Sequence, residues 1–274
     1  MTRSRLLGPI LAFLLAWMSA APVHAQSIWL PRDKDRVLLL EALHPSIEES
    51  DPDFSSGAVF LGARVRVGPW AALVVELPYA RFEGVFTEDF WFSSATSSNT
   101  AGNPYIGVEL QPAGSDFFAE LGVRAPLADD DEWQGTSTGM YADRTRFDAF
   151  VSDAYVVRTI LNIRHVGPSG LLTRLRLGPL LTFDGEDGEA VLYGVFAWQI
   201  GYEGEAFRVG AAMSGTTNLS QDYLNLGYRT MTQAELHADV GDWKVRPGFD
   251  VKLPIGIEGG RVPVVLGVSV GAAF

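Results

Sequence analysis

Residues 261–274 alternate in character. Val262, Val264, Leu266, Val268, Val270, Ala272 and Phe274 share one parity, while Arg261, Gly267, Ser269, Gly271 and Ala273 share the other. Side chains of a β-strand point to opposite faces with period two, so this segment reads as a strand with one apolar face. The pattern recurs. In 57–67, Val59, Leu61, Ala63, Val65 and Val67 oppose Arg64 and Arg66; in 170–183, Leu171, Leu175, Leu177 and Leu181 oppose Arg174 and Arg176. In 242–255, Trp243, Val245, Phe249, Val251, Leu253 and Ile255 oppose Lys244, Arg246, Asp250 and Lys252. Twelve such strands are predicted, at 35–43, 57–67, 70–82, 104–111, 116–126, 149–164, 170–183, 189–202, 205–216, 222–240, 242–255 and 261–274.

The connections alternate in length. Gly68-Pro69, 111–115, 165–169, 203–205 and Gly241-Asp242 are tight and mostly rich in Gly and Pro, and between them lie 44–56, 83–103, 127–148, 184–188, 217–221 and 256–260. Short turns on one side and longer loops on the other are the signature of a transmembrane antiparallel up-and-down β-barrel, with periplasmic turns and extracellular loops. An even count of twelve returns both termini to the periplasmic side. A β-sandwich or lipocalin-like barrel would show the same parity with the apolar face inward. The chain is long for a lipocalin, and its apolar–basic strands are many. A terminal Phe274 that closes an apolar-faced strand resembles the signature read by the barrel-assembly machinery of the bacterial outer membrane.

Composition sharpens this reading. The chain is 47% hydrophobic and 20% charged and contains no Cys, so neither disulfides nor a Cys-ligated metal supports it. Arg3 and Arg5, an apolar stretch from Leu6 to Trp17, and Val23-His24-Ala25 before Gln26 form a secretory leader. The predicted organisation is a signal peptide at 1–25 and a single outer-membrane barrel domain at 26–274. Beyond the leader no run of about 18 apolar residues occurs, so no spanning helix is available. Loss of Arg3 and Arg5 leaves 33 acidic against 19 basic residues, a balance that argues against nucleic acid. The expected partners are outer-membrane lipid and lipopolysaccharide, the barrel-assembly machinery and a small-molecule solute. No cofactor or metal is called for.

Glu76-Leu-Pro-Tyr79 at a strand end, and Gly102-Asn-Pro-Tyr-Ile-Gly107 opening the next strand, carry a resemblance over roughly 30 residues. Together with the leader and the barrel pattern, the chain resembles the transporter-like family named for the meta-cleavage pathway of phenol degradation. The resemblance implies an outer-membrane transporter-like barrel. Its motif marks a structural corner, and no functional residue carries across.

With the apolar parity turned to lipid, the lumen receives Arg64, Arg66, Arg124, Arg158, Arg164, Arg174, Arg176, Arg208, Lys244, Arg246, Lys252 and Arg261. Glu76, Glu109, Glu120, Glu203, Glu235, Asp239 and Asp250 oppose them. Such charges either pair and fill a narrow barrel or line an anion-favouring, water-filled pore. An at least partly open, porin-like lumen is expected, passing or binding small anionic or aromatic-acid solutes by diffusion. Loops 83–103 and 127–148 are expected to constrict its mouth. The alternative is a closed structural or surface-interaction barrel that works through acidic loops: Glu48-Glu49, Asp51, Asp53, Glu88-Asp89, Asp129 to Glu132 and Asp184 to Glu189. Those carboxylates lack the ordered spacing of a calcium loop.

An enzyme is not expected. Gly267-Val-Ser-Val-Gly271 matches a nucleophile-elbow pattern, but Ser269 lies within a strand where the motif needs a sharp strand-to-helix turn. His237 shares parity with Glu235 and Asp239, so a membrane-embedded hydrolase using that His is the third reading. Tyr79, Phe117, Phe183, Tyr202, Phe207, Tyr223, Trp243 and Phe274 at strand ends fit interfacial aromatic girdles, with Trp70 falling on the lumen parity. Phe90-Trp91-Phe92 either packs within its loop or folds into the barrel mouth.

Overall fold

The computed structural model describes residues 27–32, 34–46, 56–85, 95–184, 190–220, 230–242, 244–255 and 264–274. The wall comprises β1 (Arg36–Pro45), β2 (Gly57–Arg66), β3 (Ala71–Val85), β4 (Ala95–Ala101), β5 (Tyr105–Leu110), β6 (Phe117–Arg124), β7 (Ala154–Val166), β8 (Leu171–Asp184), β9 (Ala190–Glu203), β10 (Phe207–Asn218), β11 (Thr230–Val240), β12 (Arg246–Ile255) and β13 (Val265–Ala273). All neighbours run antiparallel, and β1 pairs with both β2 and β13, which closes the sheet. β4 and β5 pair with the upper and lower parts of β3, so they form one interrupted stave. The result is a closed 12-stranded barrel.

Its packing is inside out relative to a soluble protein. Leu177 is 48% exposed while neighbouring Arg176 is 6% exposed. Leu121, Leu161, Val209, Leu253 and Val268 also face outward, and Glu120, Asn162, Arg208, Lys252 and Ser269 are buried inside. An apolar outer belt over a polar interior is stable only in lipid, which places the barrel in the outer membrane. Among the described residues no helix is long and apolar enough to cross a membrane; the strands do so. Exposed Phe117, Tyr202, Phe207 and Phe274 mark the periplasmic rim, and Tyr202 and Phe207 stack at 5.0 Å. Trp70, placed in the lumen by parity, instead lies exposed at the β2–β3 turn. Tyr223, Trp243, Arg261, Phe90-Trp91-Phe92, the leader 1–25 and most acidic loop residues lie outside the described residues.

Among the described residues two segments enter the lumen. From the extracellular side, the β6–β7 connection descends as a 3-10 turn (Asp130–Glu132), helix α1 (Trp133–Ala142) and a second 3-10 turn (Arg144–Ala149). The strand expected from 149 therefore begins at Ala154, because Ala149 and Phe150 belong to this insertion. Phe150 meets Phe60 edge-on at 5.8 Å within a cluster containing Leu43, Ala58, Ala80 and Val265. Phe147 packs in the other direction, against Val156, Ile160, Leu180, Val195 and Tyr193. The insertion thus bridges opposite walls. Asp153, at φ 51, turns the chain back into the wall, a backbone region that Asp tolerates better than most residues.

The second segment is 27–32, just before β1, where Leu30 packs on Val37 and Leu39. Its Trp29 is 1% exposed.

Candidate functional site: the lumen

The corner at 102–104 explains how the upper insertion is held. A Cβ on Gly102 would meet the Ala149 carbonyl at 2.5 Å, so only glycine admits this approach. Asn103, fully buried, donates from Nδ2 to the Asp148 and Val151 carbonyls and accepts at Oδ1 from the Leu127 and Ala128 amides. One side chain thereby fixes the entry and the exit of the insertion. The Glu76–Tyr79 and Gly102–Gly107 motifs meet here, and their chemistry is structural.

Arg146 anchors the insertion tip. It reaches Glu41 at 2.7 Å, Glu76 at 3.0 Å and Asp143 at 2.9 Å. Its guanidinium also lies 3.7 Å from the Phe60 ring centroid. Glu76 and Asp148 share Arg124 at 2.6 and 2.8 Å. Lys252 reaches Asp143 at 2.6 Å. Burial pushes the Asp143 carboxyl up, but Lys252 and Arg146 beside it, with hydrogen bonds from Lys252 and Thr145, hold it well below the usual carboxylate range. Burial pushes the Arg146 guanidinium down, and Glu41, Asp143 and Glu76 more than reverse that.

The lower segment is held by wall arginines that donate to its carbonyls. Arg174 donates to Ile28 O at 2.7 Å, Arg208 donates to Trp29 O, and Arg64 donates to Arg32 O and Lys34 O. Ser27 donates to Glu41 at 2.9 Å, and Arg32 bonds Glu109. Trp29 stacks on His237 at 4.6 Å and donates to Glu235 at 3.2 Å. His237 lies between Asp250 at 2.6 Å and Asp239 at 2.8 Å, and Asp239 also takes Arg208 and Arg246.

Most lumen assignments made from parity therefore lie inside: Arg64, Glu76, Glu109, Glu120, Arg124, Arg158, Arg174, Arg176, Arg246 and Lys252 are buried. Three differ. Arg66 is exposed at the periplasmic rim beside Asp35, and Lys244 is exposed in the β11–β12 turn, because at strand ends parity continues after the chain has left the wall. Arg164 is half-buried at the periplasmic mouth, where it pairs with Glu203 at 2.6 Å. That mouth holds a cavity of about 510 Å³ lined by Lys34, Arg164, Glu203 and the turns around them.

The lumen is filled more than expected, by Arg32, Trp29, Asp143, Arg146 and Asp148, none of which lies on a wall strand. Strand parity cannot find residues that enter from connections; the signal was Trp29, a large aromatic just before the first strand. Among the described residues, buried Lys and Arg number eleven against nine buried carboxylates. The surplus is one-sided. On the β5–β9 side Arg32 and Arg64 share Glu109, Arg176 stands 3.6 Å from Glu120, and Arg174 forms no ion pair among the described residues. Ser269 of the nucleophile-like motif is buried within extended β13. No group of three or more metal-ligating side chains occurs among the described residues.

No protein-family model matches the sequence, and no curated protein matches it. Solved structures do. An outer membrane channel from Pseudomonas putida F1 is similar at TM-score 0.58 and 10% identity, covering 89% of this chain and 97% of that one. The NanC porin is similar at TM-score 0.53 and 9% identity, covering 86% and 100%. LpxR from Salmonella typhimurium is similar at TM-score 0.51 and 10% identity, covering 87% and 100%. At such identities the likeness is one of fold, an outer-membrane β-barrel.

Proposed function

We propose that this barrel passes or binds small anionic or aromatic-acid solutes by diffusion along the basic side of its lumen, with residues 27–32 and 125–153 as its constrictions. The observation that carries the reading is the cationic surplus on β8, where Arg174 lies buried with no carboxylate hydrogen-bonded to it among the described residues. The channel and porin among the structural neighbours support passage as the activity. Phe274, exposed at the periplasmic end, suits recognition by the assembly machinery, and the outer belt suits lipid and lipopolysaccharide.

In planar bilayers the purified barrel should show discrete, anion-preferring conductance. Arg174→Glu with Arg176→Glu should move the reversal potential toward cations. Silence both of the parent protein and of a variant lacking residues 27–32 would instead favour a closed structural barrel. That second reading is supported by the two inserted segments.

We further take the barrel to be non-enzymatic. Both His237 ring nitrogens are engaged by carboxylates and one face is covered by Trp29, so neither nitrogen is open to a substrate. Ester or acyl-chain hydrolysis abolished by His237→Ala would overturn this.

A further inference from the structure

The β7–β9 wall holds a cluster of buried polar groups, two of whose atoms lack a hydrogen-bond partner among the described residues. Asn162, Arg174, Arg176 and Gln199 face the lumen at neighbouring register positions: Asn162 beside Arg176, and Arg174 beside Gln199. All four are less than a tenth exposed. Arg174 spends Nε and Nη2 on the neutral Asn162 Oδ1, at 3.3 and 2.8 Å, and Nη1 on a backbone carbonyl. Its hydrogen bonds therefore go to neutral acceptors, and the like charges of Arg32, Arg176 and Arg164 act on it, offset in part by the more distant Glu109 carboxylate. Asn162 Nδ2, fully buried, and Gln199 Oε1 have no hydrogen-bond partner among the described residues. Next to them the wall carries small side chains: Ala197 is registered with Arg176, and Ala212 with Gln199. Unsatisfied buried polar atoms and an unpaired buried charge are each unfavourable. A single oxyanion would accept from Asn162 Nδ2 and neutralise the Arg174 charge, since guanidinium donors match the oxygens of a carboxylate or phosphate group; Gln199 Oε1 is itself an acceptor and is not a ligand of the anion.

We infer, building on the anionic-solute reading, that Arg174, Arg176 and Asn162 form one buried oxyanion-binding site on the β7–β8 wall, with Gln199 at its edge. The ligand class is a small carboxylate or phosphate group. The site lies between the two inserted segments, and Arg174 contacts the lower one through Ile28 O, so anion binding and the seating of residues 27–32 draw on the same guanidinium.

The test is calorimetric titration of the folded full-length barrel in detergent with sodium benzoate, sodium phosphate and sodium chloride at matched ionic strength. Saturable one-to-one binding of benzoate identifies a carboxylate site, and that of phosphate a phosphate site; chloride binds more weakly than either. Arg174→Gln should weaken binding by about tenfold or more, the loss of a charged hydrogen bond, while Arg66→Gln at the rim leaves it unchanged. Heat-modifiable gel mobility reports folding of each variant. Asn162→Asp is nearly isosteric and supplies an internal carboxylate, so it should abolish binding while the barrel remains folded. Absence of saturable binding by either oxyanion overturns the site, as does binding that survives both Arg174→Gln and Asn162→Asp. Binding by a protein silent in bilayers keeps the site and removes the channel reading; conductance without binding does the reverse.

Discussion

The two sides of the lumen use the same residue types to opposite ends. On the β10–β12 and β1 side nearly every charge meets its complement: Arg146 holds Glu41, Glu76 and Asp143, Lys252 holds Asp143, and Asp239 holds Arg208 and Arg246. On the β7–β9 side Arg174 and Arg176 gather with Asn162 and Gln199, and carboxylates are scarce. A buried pair that is broken leaves an uncompensated charge, whereas a charge that never had a partner loses little when removed. The saturated side therefore fastens the insertion, and the less saturated side is the one proposed to take a solute. Sequence parity saw both as one stripe of charge.

The sharpest way to break this comparison is to remove one arginine from each side. Arg146→Ala takes from Glu41 its salt-bridge partner and leaves Glu76 with Arg124 and Asp143 with Lys252 alone, and should destabilise the barrel by about 3–5 kcal/mol, as expected for a broken buried ion network. Arg174→Met orphans two neutral acceptors, Asn162 Oδ1 and Ile28 O, at about 1–3 kcal/mol each, but it also relieves a buried charge without an ion-pair partner among the described residues, so its net cost should be well below that of Arg146→Ala. Urea unfolding in detergent, followed by tryptophan fluorescence, measures both. Equal costs would dissolve the distinction between the sides.

Trp29→Ala comes next. It removes the stack on His237 and the hydrogen bond to Glu235, and it empties a large buried volume, so the loss should be about 3 kcal/mol. Because Trp29 belongs to the lower inserted segment, that loss falls on seating the segment. Single-channel recordings should show larger or more frequent openings than the parent protein. Unchanged conductance would remove residues 27–32 as a constriction.

Acid should act on the saturated side first. The Asp143 carboxyl is held well below the usual range in the folded barrel. A depressed carboxylate contributes stability that is fully present above its unfolded value near 4, and the contribution is lost as pH falls further. On the order of 2 kcal/mol should disappear below about pH 4. Asp143→Asn should flatten that acid dependence while lowering stability at neutral pH. Denaturant midpoints measured from pH 3 to 7 test it; an acid profile unchanged in Asp143→Asn would assign the effect to other carboxylates.

The wall was legible in the sequence because its chemistry is periodic. Arg174, Arg176 and the leucines between and beside them report two faces at once, and the tight turns fix the strand count. The contents of the lumen were not legible. Helix α1 buries Gly135, Thr136, Thr138, Gly139 and Ala142, a small and polar set with no helical apolar stripe. β4 is Ala-Thr-Ser-Ser-Asn-Thr-Ala, with no alternation, and it was read as loop. Both are shaped by a lumen that is already polar, where burial no longer demands apolar side chains. Strand parity counts only the residues of the wall, so it does not see what enters the lumen from the connections.

The smallest expected effect concerns the basic residues that parity assigned wrongly. Arg66 is half-exposed beside Asp35, with water to screen both charges, and such rim pairs contribute about 0–1 kcal/mol. Lys244 sits exposed in a periplasmic turn, within reach of bulk salt, which screens charges beyond about 8–10 Å. Arg66→Gln and Lys244→Gln should therefore leave unfolding midpoints and the reversal potential at physiological salt unchanged, in the same recordings in which Arg174→Glu with Arg176→Glu moves it. A shift of equal size from the rim residues would mean that selectivity is set by the overall field at the mouth. The buried surplus on β8 would then have no special part in ion choice.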